Sequence, residues 1–284
     1  MKVEDFDMFC TLLKQRSGLV LSRDKAYLLE SRLMPVARKW NFKGLDDLAV
    51  AVRSKRDETL LREITEAMTT NESSFFRDLK PFDLLKQVVL PKLMEARAAK
   101  RSLRIWSAAC SSGQEPYTIA MMLLDEGAKL AGWKIDIVAT DLSGEMVERA
   151  KSGMYTQFEV QRGLPITYLV KHFVQKGDKW VLNQNIKNMV QFREFNLLSD
   201  PSQLGQFDIV FCRNVLIYFD QPTKAKVLES IARIMPSDGF LYLGGAETVL
   251  GITDRFKPMD GQRGLYVVSD AAGAGGIGFR AAVG

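Results

Sequence analysis

Histidine is almost missing from this chain, with one residue, His172, among 284. That excludes a multi-histidine metal centre and leaves little room for a Ser-His-Asp relay; His172 itself reads as an ordinary surface or satisfied residue. Cysteine is scarce as well. Cys10, Cys110 and Cys212 are odd in number and far apart, which fits a reducing compartment and offers neither a disulfide framework nor a zinc cluster. No apolar run approaches the roughly 20 residues that span a bilayer. The opening MKVEDFDMF is too acidic, and its apolar run too short, for a secretory signal. The expectation is a cytoplasmic protein with no membrane insertion.

What is present describes an ordinary globular chain, 46% hydrophobic and 26% charged. The net charge of +5 is uneven: residues 1–100 hold 19 Lys and Arg against 15 Asp and Glu. A mildly basic N-terminal third steers acidic partners, but it is too weak an excess to argue for nucleic acid.

The first 75 or so residues show helical spacing and no strand. Phe6, Phe9, Leu12 and Leu13 form one apolar face, Leu28, Leu29, Leu33 and Val36 a second, Leu45, Leu48 and Val52 a third, and Leu60, Leu61, Ile64 and Met68 a fourth. Pro35 predicts a kink or an end in the second helix. Basic residues interleave these faces: Lys14, Arg16, Arg23, Lys25, Arg32, Arg38, Lys39, Arg53, Lys55 and Arg56. After the polar segment TTNESSFFRD (Thr69–Asp78) comes a helix over 81–100, and from there strands and helices alternate. Strands are predicted at 103–108, 135–140, 208–212 and 240–244, helices at 116–131, 144–151 and 223–234, and 265–268 finishes the sheet. Such alternation implies an α/β, doubly wound sheet with crossover helices on both faces. Between Tyr155 and Asn196 it lapses. A helix at 168–174 and short strands at 180–182 and 189–195 read as an insertion carrying a small antiparallel sheet. The expected organisation is a helical domain over 1–78, a Rossmann-like domain over 79–270 with its insertion at about 155–195, and a Gly/Ala-rich flexible tail over 271–284.

Ligands of open α/β sheets bind beyond the carboxyl ends of the strands, and the polar residues there are the candidate site. In IWSAACSSGQEPY (Ile105–Tyr117) a strand runs through small residues into a helix, with Gly113 the single glycine. A dinucleotide pyrophosphate wants more glycine, so a smaller ligand fits better. Glu115 suits an ammonium or sulfonium cation, or offsets the helix dipole. Asp141 ends the next strand, where an acid accepts ribose hydroxyls or caps the following helix, as does Ser143. Asn196 and Leu197 follow the third strand, where Asn reads an adenine edge or closes a turn. In FDIVFCRNVLIYF (Phe207–Phe219), Arg213, Asn214 and Tyr218 stand at the rim of a strand buried on both faces.

Taken in order, these motifs give the chain a specific resemblance. From residue 5 to about 270 it resembles the CheR family of chemotaxis receptor methyltransferases, S-adenosylmethionine-dependent protein-glutamate O-methyltransferases. The resemblance implies that Asn71, Ser73 and Arg77 contact S-adenosylmethionine, with Arg77 also near the reacting methyl. It implies that Glu115 holds the methionine amino group and Asp141 the ribose, that Asn196, Leu197, Arg213 and Asn214 line the adenosine side, and that Tyr218 faces the transferred methyl. S-adenosylhomocysteine would be the product, and the helical cytoplasmic region of chemoreceptors, gathered in arrays, the partner. Family members often carry Thr where Ser73 stands; the hydroxyl is kept. In the family the small insertion can bind a receptor C-terminal peptide. The compact turn at Lys176–Lys179 favours binding without that tether.

Rival readings remain. A nucleic-acid methyltransferase acting on amines would show an Asn/Asp-Pro-Pro-aromatic run where Cys212-Arg213-Asn214-Val215 stands, and Cys212 reads as a buried structural thiol rather than a nucleophile. A non-catalytic receptor-binding module of the same fold conflicts with the intact set from Asn71 to Tyr218. A small-molecule carboxyl methyltransferase would leave the basic helices without a purpose.

Overall fold

The computed structural model describes residues 1–55 and 57–269; the predicted flexible tail lies outside the described residues. Four helices come first: α1 Val3–Ser17, α2 Ala26–Lys39, α3 Leu45–Lys55 and α4 Glu58–Ala67. Their apolar faces meet in one cluster in which Phe9, Leu13, Leu29, Leu33, Leu48 and Ile64 are fully buried. α4 starts at Asp57, whose carboxylate accepts the N–H groups of Thr59 and Leu60, the usual satisfaction of orphan donors at a helix start. Of the kink or end expected at Pro35, the end is not found: α2 runs on to Lys39. Pro35 is exposed, while Leu33, Val36 and Ala37 keep the inner face packed, and that burial outweighs the lost hydrogen bond.

The helix expected over 81–100 is shorter and interrupted: α5 Lys80–Leu84, a π-helical turn Leu85–Val89, and α6 Leu90–Ala96. Pro91 has no N–H to continue a regular ladder, and Arg97 turns away to pair with Asp208 and Asp238. Then follow β1 Ser102–Ala108, α7 Gln114–Asp125, β2 Lys134–Asp141, α8 Gly144–Ser152, β3 Met154–Thr156, α9 Gln157–Gln161, α10 Ile166–His172, β4 Phe173–Lys176, β5 Lys179–Leu182 and α11 Gln184–Lys187. The chain is completed by β6 Val190–Glu194, β7 Ile209–Cys212, α12 Gln221–Arg233, β8 Phe240–Leu243, β9 Phe256–Pro258 and β10 Leu265–Val268.

The large sheet has seven strands in the order β6-β2-β1-β7-β8-β10-β9. β6 to β8 run parallel, and β10 is antiparallel to both β8 and β9. Alternate residues feed separate cores: Ile105, Ile137 and Ile209 one face, Trp106, Val138 and Val210 the other. This is why the strands read as continuous apolar runs. Two expectations are corrected here. Residues 189–195 do not join the small sheet; β6 pairs in parallel with β2, Ile137 opposite Val190, because its apolar residues add to the main core. β10 is not the last strand, since the short β9 lies outside it; three residues with little alternation left no periodic signal. The predicted helix at 116–131 stops at Asp125, before a 3-10 turn at Gly127–Leu130, and that at 168–174 gives way to β4.

The small antiparallel sheet is β3-β5-β4, bound to the rest through aromatic packing. Phe75, from the polar segment, meets Tyr155 and Phe173 edge-on at 4.9 and 5.6 Å, and Phe76 meets Tyr168 at 4.8 Å. His172 is not at the surface: it is buried, its Nε2 lies 3.3 Å from Asp125 and has no hydrogen-bond partner among the described residues, and burial pushes its pKa below the usual value against the pull of Asp125. Phe75→Ala should cost about 3–5 kcal/mol, read as a lowered denaturation midpoint; a change under about 1 kcal/mol would show this packing to be incidental.

Candidate active site

β1 is flanked by β2 on one side and β7 on the other, so the connections leave in opposite directions and a crevice opens at the carboxyl ends. A cleft of about 1020 Å³, partly open to solvent, occupies that position. Every predicted site residue lines it: Asn71, Ser73, Arg77, Glu115, Asp141, Asn196, Leu197, Arg213, Asn214 and Tyr218. Ser17 and Leu19, at the end of α1, form part of its wall.

The loop after β1 brings the main chain close. Ala109 and Ser111 take left-handed φ values of 57° and 51°, which turns the Ser111 N–H onto Asp141 Oδ2 at 2.7 Å. Gly113 has φ 92°, and a Cβ there would stand 2.9 Å from the Ala150 Cβ, so only glycine fits. Phe76, Asp78, Leu79 and Asn214, on the other two segments that build the cleft, also have positive φ. Each costs on the order of 1–3 kcal/mol, so the strain gathers where the ligand would sit.

Asp141 caps no helix. Ser143 is the N-cap of α8, its hydroxyl accepting the Met146 N–H. The Asp141 carboxylate accepts the amides of Ser111 and Ser143 at 2.7 and 3.0 Å. Burial raises its pKa above the usual aspartate value, partly opposed by these amides.

Glu115 accepts from the Ser107 hydroxyl at 2.8 Å and from Arg213 Nη1 at 2.8 Å. Arg213 is buried; its Nη2 reaches Asp78 at 2.7 Å and the Arg77 carbonyl at 3.0 Å, while its Nε has no hydrogen-bond partner among the described residues. Arg77 donates to the Glu72 carbonyl at 2.9 Å. Asn196 donates to the Arg16 carbonyl at 2.6 Å and accepts the Leu198 N–H, closing a turn and holding the end of α1. The Tyr218 carbonyl accepts the Val20 N–H at 3.0 Å. Burial pushes the Cys110 and Cys212 thiols well above their usual pKa, which leaves neither as a nucleophile.

Several residues of the site were not anticipated. Ser111 and Asp78 lie inside motifs the sequence drew attention to, and their signal was the shortness of the polar side chain. Glu247 accepts main-chain N–H groups of the Arg213–Tyr218 loop from more than 25 residues away. A glutamate after Gly-Gly-Ala carries no local mark of that contact.

Comparison with known proteins shows the family. The family model described as CheR methyltransferase, SAM binding domain, matches residues 71–265, and that described as CheR methyltransferase, all-alpha domain, matches residues 4–69. Chemotaxis protein methyltransferase 1 of Pseudomonas aeruginosa is 42% identical over 266 residues, covering 92% of this chain and 96% of that one. Chemotaxis protein methyltransferase Cher2 of Pseudomonas putida is 40% identical, with coverage of 92% and 96%. Chemotaxis protein methyltransferase 1 of Vibrio cholerae is 41% identical, with coverage of 89% and 92%. Fold and matched models define the class, a methyltransferase that binds S-adenosylmethionine. The chain belongs to the CheR methyltransferase family.

The residues present fit that ligand. A carboxylate has about four acceptor positions, so Glu115 and Asp141 retain capacity for an ammonium and for ribose hydroxyls, and the small side chains after β1 permit close approach. Asp141 offers its full acceptor capacity only while ionised; protonated, one of its oxygens becomes a donor. Affinity for S-adenosylmethionine should therefore be full at neutral pH and decline as pH falls through the raised Asp141 value, above the roughly 3.9 of an ordinary aspartate. Asp141→Asn should weaken binding by about 1–3 kcal/mol and remove that acid-side decline. Calorimetry across pH checks both; an unchanged profile would free Asp141 of this role.

Proposed function

We propose that the chain transfers a methyl group from S-adenosylmethionine to glutamate side chains of chemoreceptors, forming methyl esters. One observation carries the reading: Arg77 and Tyr218 face a single cleft with Glu115 and Asp141, in a chain whose one histidine lies outside that cleft. A free glutamate has a pKa of about 4.3, so the acceptor needs no general base. The donor supplies the methyl on a sulfonium. Arg77 and Tyr218 orient the incoming carboxylate, and positioning of this kind supplies up to roughly 7–11 kcal/mol. A water-poor cleft favours the meeting of opposite charges that leave as a neutral ester and thioether. In this reading Asn71, Ser73, Asn196, Leu197 and Asn214 hold the donor. Residues 1–78 serve as the docking unit and 79–270 as the transferase unit.

Arg77→Ala and Tyr218→Phe should each keep donor binding and lose most of kcat. Transfer of labelled methyl to receptor fragments reads this, with release of the label by alkali marking an ester. An alkali-stable product would refute the glutamate reading.

Acidic helical receptor segments suit the basic N-terminal helices, although much of that basic set is engaged within the chain. Lys14 pairs with Asp220, Arg16 with Glu58, Arg23 with Asp7, Lys39 with Glu63 and Arg53 with Asp5. Arg56 and the side chain of Lys55 lie outside the described residues; Lys25 and Arg38 are exposed. Receptor binding should weaken with salt and on charge reversal at Arg53, Lys55 and Arg56. Fragments lacking the C-terminal tail should bind as well as those that keep it, since the two-residue turn between β4 and β5 is compact. Titrations at two ionic strengths decide both points.

A further inference from the structure

Glu247 lies in the connection after β8, is 9% exposed and does not line the cleft. Four main-chain N–H groups converge on its carboxylate: Gly244 at 2.6 Å and Asn214 at 2.8 Å on Oε2, Val215 at 2.9 Å and Ile217 at 3.2 Å on Oε1. Three of these donors belong to the loop after β7, which carries Asn214 and Tyr218 into the cleft. Their amides point the same way because Asn214 is left-handed, with φ 60°, and successive amides so arranged form a concave nest for an anion. Without an acceptor there, buried N–H groups would go unpaired and the loop would find another path. The approach is too close for any side chain at 244. A Cβ on Gly244 would stand 2.7 Å from Glu247 Oε2 and from Asn214 Nδ2, and 2.9 Å from the Asn214 main-chain nitrogen.

We propose that Glu247 is a positioning residue for methyl transfer: its carboxylate gathers the main chain of Asn214, Val215 and Ile217 and so sets where Tyr218 stands toward the acceptor. The inference rests on the reading above, in which Tyr218 orients the receptor carboxylate. Gln keeps the size of Glu but replaces one acceptor oxygen with an NH₂ group, which faces N–H donors with another donor.

The test uses the full chain, S-adenosylmethionine and a receptor fragment in a labelled-methyl assay, with Glu247→Gln, Tyr218→Phe and the double variant. Glu247→Gln should lower kcat about 10- to 100-fold with the fragment's KM within about 3-fold, the pattern of a displaced orienting group. In the Tyr218→Phe background the same change should cost less than about 3-fold, because its effect passes through Tyr218. A purely structural role would give losses that multiply in full, and that result, or an unchanged kcat, overturns the proposal. Should the Gln variant show no cooperative unfolding transition, Glu247→Asp takes its place. It keeps the charge and draws the carboxylate back by one methylene, with the same non-additive outcome expected and a multiplicative one again overturning the inference. A wild-type chain that transfers no label to the fragment refutes the receptor reading, and this inference with it. An active wild type with multiplying losses refutes this inference alone.

Discussion

One buried cation organises the cleft. The Arg213 side chain is 1% exposed, and a guanidinium removed from water is tolerable only with partners in good geometry. It finds Glu115 on α7 and Asp78 in the polar segment, with its Cζ over the Phe82 ring, 5.6 Å from the centroid. One side chain at the end of β7 thereby ties together segments about 98 and 135 residues away. Arg77, whose carbonyl also accepts from Arg213, is held in place by this contact. Loss of Arg213 would leave Glu115 facing the cleft without its cation.

The helical N-terminal region belongs to the same construction. Asn196 holds the Arg16 carbonyl, Val20 donates to Tyr218, Lys14 pairs with Asp220, and Glu66 accepts from Ser143. Arg32 binds the Met68 and Thr69 carbonyls just before the segment that carries Asn71 and Arg77. Basic residues that look in sequence like a single docking face are thus divided between holding the cleft wall and facing solvent. From the opposite side, Phe75 and Phe76 anchor that segment in the aromatic cluster beneath the small sheet. Arg77 stands between two bodies of structure rather than on a free loop.

The legible parts of the molecule were those with a local physical signature. Strands buried on both faces announce themselves as β-branched and aromatic runs, and amphipathic helices as apolar spacing, so β1, β2, β7 and β8 were found close to their observed limits and the first four helices by their apolar faces. Polar residues at strand ends were legible because the parallel sheet places them on one edge. Residues 189–195 were misplaced because a short apolar strand does not say which sheet it joins. Pro35 does not end α2 because the tertiary burial of Leu33 and Val36 outweighs the local backbone cost. Glu247 was invisible because its partners are main-chain amides, which leave no trace in side-chain pattern.

Periodicity and the polar residues that interrupt it determined the class of fold and which side chains stand at the sheet's edge, because both follow from the alternation and twist of neighbouring residues along the chain. Only the tertiary structure decided how those side chains are spent. Glu115 faces Arg213, Asp141 accepts two amides while Ser143 takes the cap, and Asn196 clasps the end of α1. The reason is physical: a buried polar atom bonds to whichever partner folding brings within about 3 Å, and apart from the Ser143 amide those partners lie 30, 98 and 180 residues away, a proximity that no run of neighbouring residues encodes.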